Sequence, residues 1–153
     1  MRGLRARFLV VLLCLSGAGT AGTAAPSTGV LGTWAGRSLC VGDRPACKDE
    51  EVVYRFLPVE GRAGTVTLLA DKVLEGKRVP MGRLDFDQDT ARGTLRCEFT
   101  RGSTHGVWTF RVSGDAMTGT LVILPERSVA REVSVRRVRE DAVPAAPAVQ
   151  DYA

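Results

Sequence analysis

Four cysteines, a single histidine and two runs of acidic residues are the side chains of this 153-residue chain with the type and spacing for chemistry. Cys40 and Cys47 enclose a short loop containing Gly42 and Pro45, which suits bringing two sulfurs together. The spacing is not the Cys-x-x-Cys of redox motifs, and no second cysteine or histidine pair completes a zinc tetrahedron. A structural disulfide is therefore expected. Closing a loop of about eight residues contributes roughly 2.5 kcal/mol if the gain is entropic. Cys97 alternates with Leu95 and Phe99, so a buried thiol is expected. Pairing between subunits, or with Cys40 or Cys47, is the alternative.

The other candidates are weaker. Asp85, Asp87 and Asp89 imitate the start of a calcium loop, but Thr90 stands where glycine is needed and Arg96 where the bidentate glutamate is needed. A strand also turns only alternate residues the same way. A solvated strand end is expected there. His105 lies in a glycine-rich turn near Ser103, but no Gly-x-Ser-x-Gly elbow is present, so a surface histidine is expected. Asp49, Glu50 and Glu51 read as a charged strand edge that discourages edge pairing. No nucleophile with its base, no metal set, no paired acids and no phosphate loop emerges. A non-catalytic role without metal or cofactor is the expectation.

The elements that would position these residues begin after a leader. Arg2, Arg5 and Arg7 precede the apolar run 8–15, and small residues follow, which is the pattern of a secretory signal over 1–24. The apolar run falls far short of the roughly 20 residues needed to span a bilayer, so no stable membrane insertion is expected once it is removed. Cys14 follows two leucines rather than a small residue, and no lipid attachment is read there. A secreted or periplasmic destination implies an oxidising surrounding. The net charge of +4 largely belongs to this leader: without its three arginines, 18 basic residues face 17 acidic ones. That balance argues against a nucleic-acid partner or a membrane-surface patch.

From residue 30 the pattern is β. No window sustains an i, i+3, i+4, i+7 apolar stripe. Eight strand-like runs recur at 30–39, 51–57, 65–74, 78–86, 93–100, 106–112, 116–124 and 129–138, separated by glycine or aspartate turns. Loops this short leave no room for crossover helices, so an antiparallel meander is expected. Eight strands can close into an up-and-down barrel and abolish exposed edges. In the fourth run Val79 and Met81 fall out of phase with Leu84 and Phe86, and Gly82 between them marks a bulge or kink. Residues 30–139 form the expected barrel domain. Residues 140–153, rich in alanine and proline, lack any period and read as a disordered tail.

Gly32-Thr33-Trp34 at the head of such a meander resembles the first-strand motif of the calycin barrels, the lipocalin and avidin group. The resemblance implies an eight-stranded antiparallel barrel in which a late basic residue packs over the tryptophan and closes one end. Arg131, Arg136 and Arg137 are the candidates. A second likeness is to small secreted bacterial proteins of unassigned function. They share the Gly-Thr-Trp opening, a Ser-Leu-Cys…Cys loop, an Asp-Glu-Glu-Val-Val-Tyr-like strand and a Met-Gly-x-Leu-Asp-Phe strand. It implies no activity.

Trp34, Tyr54, Phe56, Phe86, Phe99, Trp108, Phe110 and Met117 fall at inward-compatible positions on different strands. An eight-stranded barrel is either just filled by side chains or holds one small ligand, and these residues would fill it or line a narrow pocket. The calycin likeness implies the second role, binding of a small apolar or amphipathic molecule. The alternative is a protein-interaction or inhibitor-type barrel with a packed interior, meeting its partner through loops near Cys40, Cys47, Arg101 and His105.

Overall fold

The computed structural model describes residues 29–152, so the leader expected over 1–24 lies outside the described residues. Eight strands follow in order: β1 (Gly32–Cys40), β2 (Glu50–Pro58), β3 (Thr65–Leu74), β4 (Lys77–Asp89), β5 (Thr94–Arg101), β6 (Thr104–Ser113), β7 (Ala116–Leu124) and β8 (Ser128–Val138). Each pairs antiparallel with the next, and β8 returns to β1, closing a barrel. The expected all-β meander is thus present, with strand ends within a few residues of those read from the sequence.

Alternation puts one set of side chains inside. Trp34, Val52, Tyr54, Phe56, Val66, Leu68, Phe86, Leu95, Phe110, Met117, Val133 and Val135 form the buried interior. Phe110 is its hub. Its ring lies 5.5–6.2 Å from the rings of Tyr54, Phe56, Phe86 and Trp108. A Cβ on Gly119, opposite Phe110 on β7, would fall 2.3 Å from that ring, so only glycine leaves room for it.

One end of the barrel is sealed. Trp34 is fully buried and donates its indole N–H to the Val30 carbonyl at 2.8 Å. The Arg137 guanidinium lies 4.3 Å above the indole and donates to the carbonyls of Leu31 and Gly29 and to Asp115. A cation over an indole face contributes about 0.5–2 kcal/mol, more as water is excluded.

The wall has one irregular strand and one short seam. In β4 the register slips: Ala70 faces Gly82 but Asp71 faces Pro80, leaving Met81 as the extra residue of a bulge. Gly82 has φ +147°, open to glycine and rarely to other residues. The bulge foreseen from the phase change at Gly82 is thus there. It has a consequence for Arg78, which in an unbroken strand would share the inward face of Gly82, Leu84 and Phe86. Shifted by one, it points outward. The seam is that of β4 with β5. These strands pair only through Asp87 with Arg96, Gln88 with Leu95 and Asp89 with Thr94. Carrying the register on would set Asp85 against Glu98, and like charges directly opposed weaken a pairing. Each carboxylate is bonded away from the seam instead, Asp85 to Thr67 and Arg62, Glu98 to Arg96 and His105. The wall parts there.

The expectation of a disordered tail is corrected. Residues 140–152 lie against the outer face of β1 to β4, with single 3-10 turns at Glu140–Ala142 and Val149–Asp151. Tyr152 is buried and donates to Asp71 at 2.6 Å; Glu140 accepts from Arg78 and Thr33. Two prolines cannot join a ladder, but they do not prevent packing by side chains. Val53, which faces Asp71 in register, and Leu69 are also buried although their alternation turns them outward.

Candidate pocket at the open end

The end opposite Trp34 carries the β1–β2 loop and the hairpin turns that follow β3, β5 and β7. Cys40 and Cys47 are joined there as a disulfide. The loop is folded back onto β8 by hydrogen bonds from Val41 N–H to the Ala130 carbonyl (3.0 Å) and from Arg44 to Ser128 (2.8 Å). Asp49 accepts from the Cys40 N–H at 2.8 Å, which fixes the far side of the loop.

Beside this loop the interior opens into a hollow of about 190 Å³. The barrel is therefore filled at its base and hollow at its mouth, so that each expectation for the interior describes one half. Phe110 and Tyr54 bound the hollow below; Leu68, Ala70, Met81, Leu84, Phe99 and Trp108 form its apolar wall. Trp108 lies flat on Phe110, with rings 5.5 Å apart and 7° from parallel. Two larger hollows, of about 520 and 500 Å³, are shallow features of the outer surface, one across β6, β7, β8 and β1, the other between the tail and the β3–β4 hairpin. We place the site at the mouth because concavity and enclosed apolar lining, more than size, retain a small molecule.

One side of the hollow is polar. Arg131 reaches in from β8, forms an ion pair with Glu50 at 3.2 Å, and donates to Ser38 Oγ at 2.8 Å and the Lys48 carbonyl at 3.0 Å. It ties the disulfide loop to three strands at once. Burial pushes the Tyr54 phenol well above its ordinary range, against the pull of Arg131 and Ser38, so it stays protonated and able to donate. Arg83 and Arg101 line the side where β4 and β5 part.

Of the aromatic candidates from the sequence, Tyr54, Phe99, Trp108 and Phe110 meet at the hollow. Trp34, Phe56, Phe86 and Met117 do not; they fill the base and are fully buried. Alternation gives the facing but not the height along the barrel axis, and height separates lining from filler. The three arginines also divide. Arg137 covers Trp34, Arg131 belongs to the opposite end, and Arg136 faces solvent beside Ala35 and Ala116 in register. Glu50, Ser38, Met81, Arg83 and Arg101 were missed as lining residues. Parity alone pointed inward for Glu50 and Ser38, but a polar residue at an inward strand end gives no stronger sequence signal.

The remaining groups show no catalytic arrangement among the described residues. Cys97 is a free, buried thiol whose pKa burial raises, so it is a poor nucleophile. His105 meets Glu98 at 2.9 Å on the exposed wall. Asp89 caps its own turn through Arg92. No group of three potential metal ligands is found among the described residues, and no helix among them is long and apolar enough to cross a membrane. No protein-family model, curated protein or solved structure matches the chain.

Proposed function

We propose that this is an exported, non-catalytic, calycin-like barrel that holds one small apolar or amphipathic molecule in its open end. The observation that carries the reading is the hollow above Phe110, apolar on the wall of Met81, Leu84, Phe99 and Trp108 and polar at Arg131, Glu50, Ser38 and Tyr54. A cavity of about 150 Å³ suffices for benzene, so one of about 190 Å³ suits a ring or short chain with a polar group. Each methylene taken from water there contributes about 0.8 kcal/mol. The Arg137–Trp34 cap supports the calycin-like part of the reading. The Cys40–Cys47 disulfide supports export, since such bonds persist in oxidising compartments.

The test is thermal denaturation against a library of small lipophilic and amphipathic compounds, with native mass spectrometry of what copurifies. A binder present at a hundred times its Kd adds about 2.7 kcal/mol of stability. Trp108→Ala, at the rim, is expected to remove that gain. A library without a single stabilising compound, and a protein that copurifies empty, would overturn the reading.

A further inference from the structure

The charges that line the hollow are already engaged, but one of its hydroxyl groups is not. Arg131 and Glu50 neutralise each other at 3.2 Å. Arg83 interacts with the charge of Asp85, and Arg101 has a partner of its own, so neither supplies a spare cation. Tyr54, only 3% exposed, lies at the floor of the hollow. Arg131 donates to Ser38 Oγ at 2.8 Å, and the Ser38 hydroxyl bonds in turn to the Tyr54 phenol. A guanidinium cannot accept, so the chain runs one way, from Arg131 through Ser38 to the Tyr54 oxygen. Burial keeps the phenol protonated against the pull of Arg131 and Ser38. None of the described residues accepts that proton. A buried donor is costly to leave unmet, and a molecule that brings an acceptor removes the cost.

Resting on the pocket reading above, we infer that the bound molecule is a small, neutral, planar carbonyl compound, its flat apolar body against Trp108 and its carbonyl oxygen accepting from the Tyr54 hydroxyl. The flat stacking of Trp108 on Phe110 gives the wall a planar aromatic surface, which favours a planar body. A donor at the end of a chain that begins on a guanidinium is polarised by it and bonds more strongly than an isolated phenol. The acceptor is neutral because the polar side of the hollow is itself balanced. A carboxylate would set a second negative charge near Glu50, which already shares Arg131, and would lose its own hydration on entering.

The experiment compares three planar probes of equal size. Acetophenone carries the carbonyl, α-methylstyrene has the same shape without the oxygen, and benzoate carries an oxyanion. Binding is followed by the indole N–H resonance of Trp108. Tyr54→Phe removes the hydroxyl and leaves a ring to pack edge-on against Phe110. Acetophenone is expected to bind this variant about fivefold to tenfold more weakly than the unmodified protein, and α-methylstyrene to bind both alike. Benzoate should bind the unmodified protein about tenfold more weakly than acetophenone, a comparison that needs no variant. An equal effect of Tyr54→Phe on acetophenone and α-methylstyrene would overturn the inference while leaving the pocket reading intact. Benzoate binding as tightly as acetophenone would do the same. Failure of all three probes to shift Trp108 in the unmodified protein would overturn both, which sets that failure apart.

Discussion

Arg78 and Asp71 form an ion pair at 2.7 Å in which both side chains are fully buried, although both stand on the outside of the barrel. Two features produce this. The bulge at Met81 turns Arg78 to the outer face, and the C-terminal tail then covers the pair with Glu140 and Tyr152. Burial alone would lower the Arg78 pKa, but Asp71 and Glu140 more than offset it.

Breaking it from one side is expected to be costly. Arg78→Ala leaves Asp71 buried with only Tyr152 as partner and should lower unfolding free energy by about 3–5 kcal/mol. Asp71→Leu/Arg78→Met, which replaces both charges by apolar groups, should lose less than the single substitution. Urea denaturation of the two variants checks the order; a more stable single variant would contradict the buried pair.

Shortening the chain to end at residue 139 is expected to lower stability by about 2–4 kcal/mol, because it removes Glu140 from Arg78 and the buried Tyr152 from Asp71. Tyr152→Phe alone should cost about 1–3 kcal/mol, the worth of a hydrogen bond to a charged group. Amide hydrogen exchange on β3 and β4 should rise in both. Unchanged exchange would mean the tail does not pack as described.

The same contacts should confine the tail's attachment to a pH window. Burial first, then the bond to Asp71 and its charge, raise the Tyr152 pKa from its ordinary 10.0 to about 12. The folded chain therefore keeps a proton that the released tail gives up, and stability present below pH 10 is lost as pH rises toward 12. Glu140 acts in the opposite sense. Burial raises its pKa, but the Thr33 and Arg78 hydrogen bonds outweigh this and leave it depressed from 4.5. Its contribution, present above that value, is lost as pH falls through its lower folded pKa. Tyr152 absorbance titrated against pH, with Tyr152→Phe as reference, reads the alkaline limb; a midpoint near 10 would show an unburied phenol.

At the sealed end, Trp34→Ala is expected to cost about 3–5 kcal/mol, the usual result of deleting a buried aromatic. Arg137→Ala should cost about 1–2 kcal/mol through the lost stacking and hydrogen bonds. Neither should change ligand binding directly, since both lie at the far end from the pocket. Thermal and chemical denaturation measure the first, and probe titration of the arginine variant the second.

Replacing Cys40 and Cys47 by serine is expected to cost about 2.5 kcal/mol and to loosen the loop whose Lys48 carbonyl anchors Arg131. Probe affinity should therefore fall along with stability. A variant that loses stability but binds unchanged would show that Arg131 does not depend on the loop.

Period-two alternation, turn residues and loop lengths, all local properties, were enough to specify an eight-stranded meander, the Cys40–Cys47 bridge, the buried Cys97 and the kink at Gly82. These are legible because each depends on neighbours within about ten residues. Parity likewise announced that the eight aromatic and methionine candidates face inward. What lay beyond it was the sorting of Tyr54, Phe99, Trp108 and Phe110 from Trp34, Phe56, Phe86 and Met117, because depth in the barrel depends on how eight strands stagger against one another. The tail was beyond it too. A segment without periodicity reads as loose until Asp71 and Arg78, some sixty to eighty residues away in sequence by approximate count, are brought beneath Glu140 and Tyr152. The unpaired stretch between β4 and β5 is of the same kind: the register that would set Asp85 against Glu98 follows only once closure places their strands side by side.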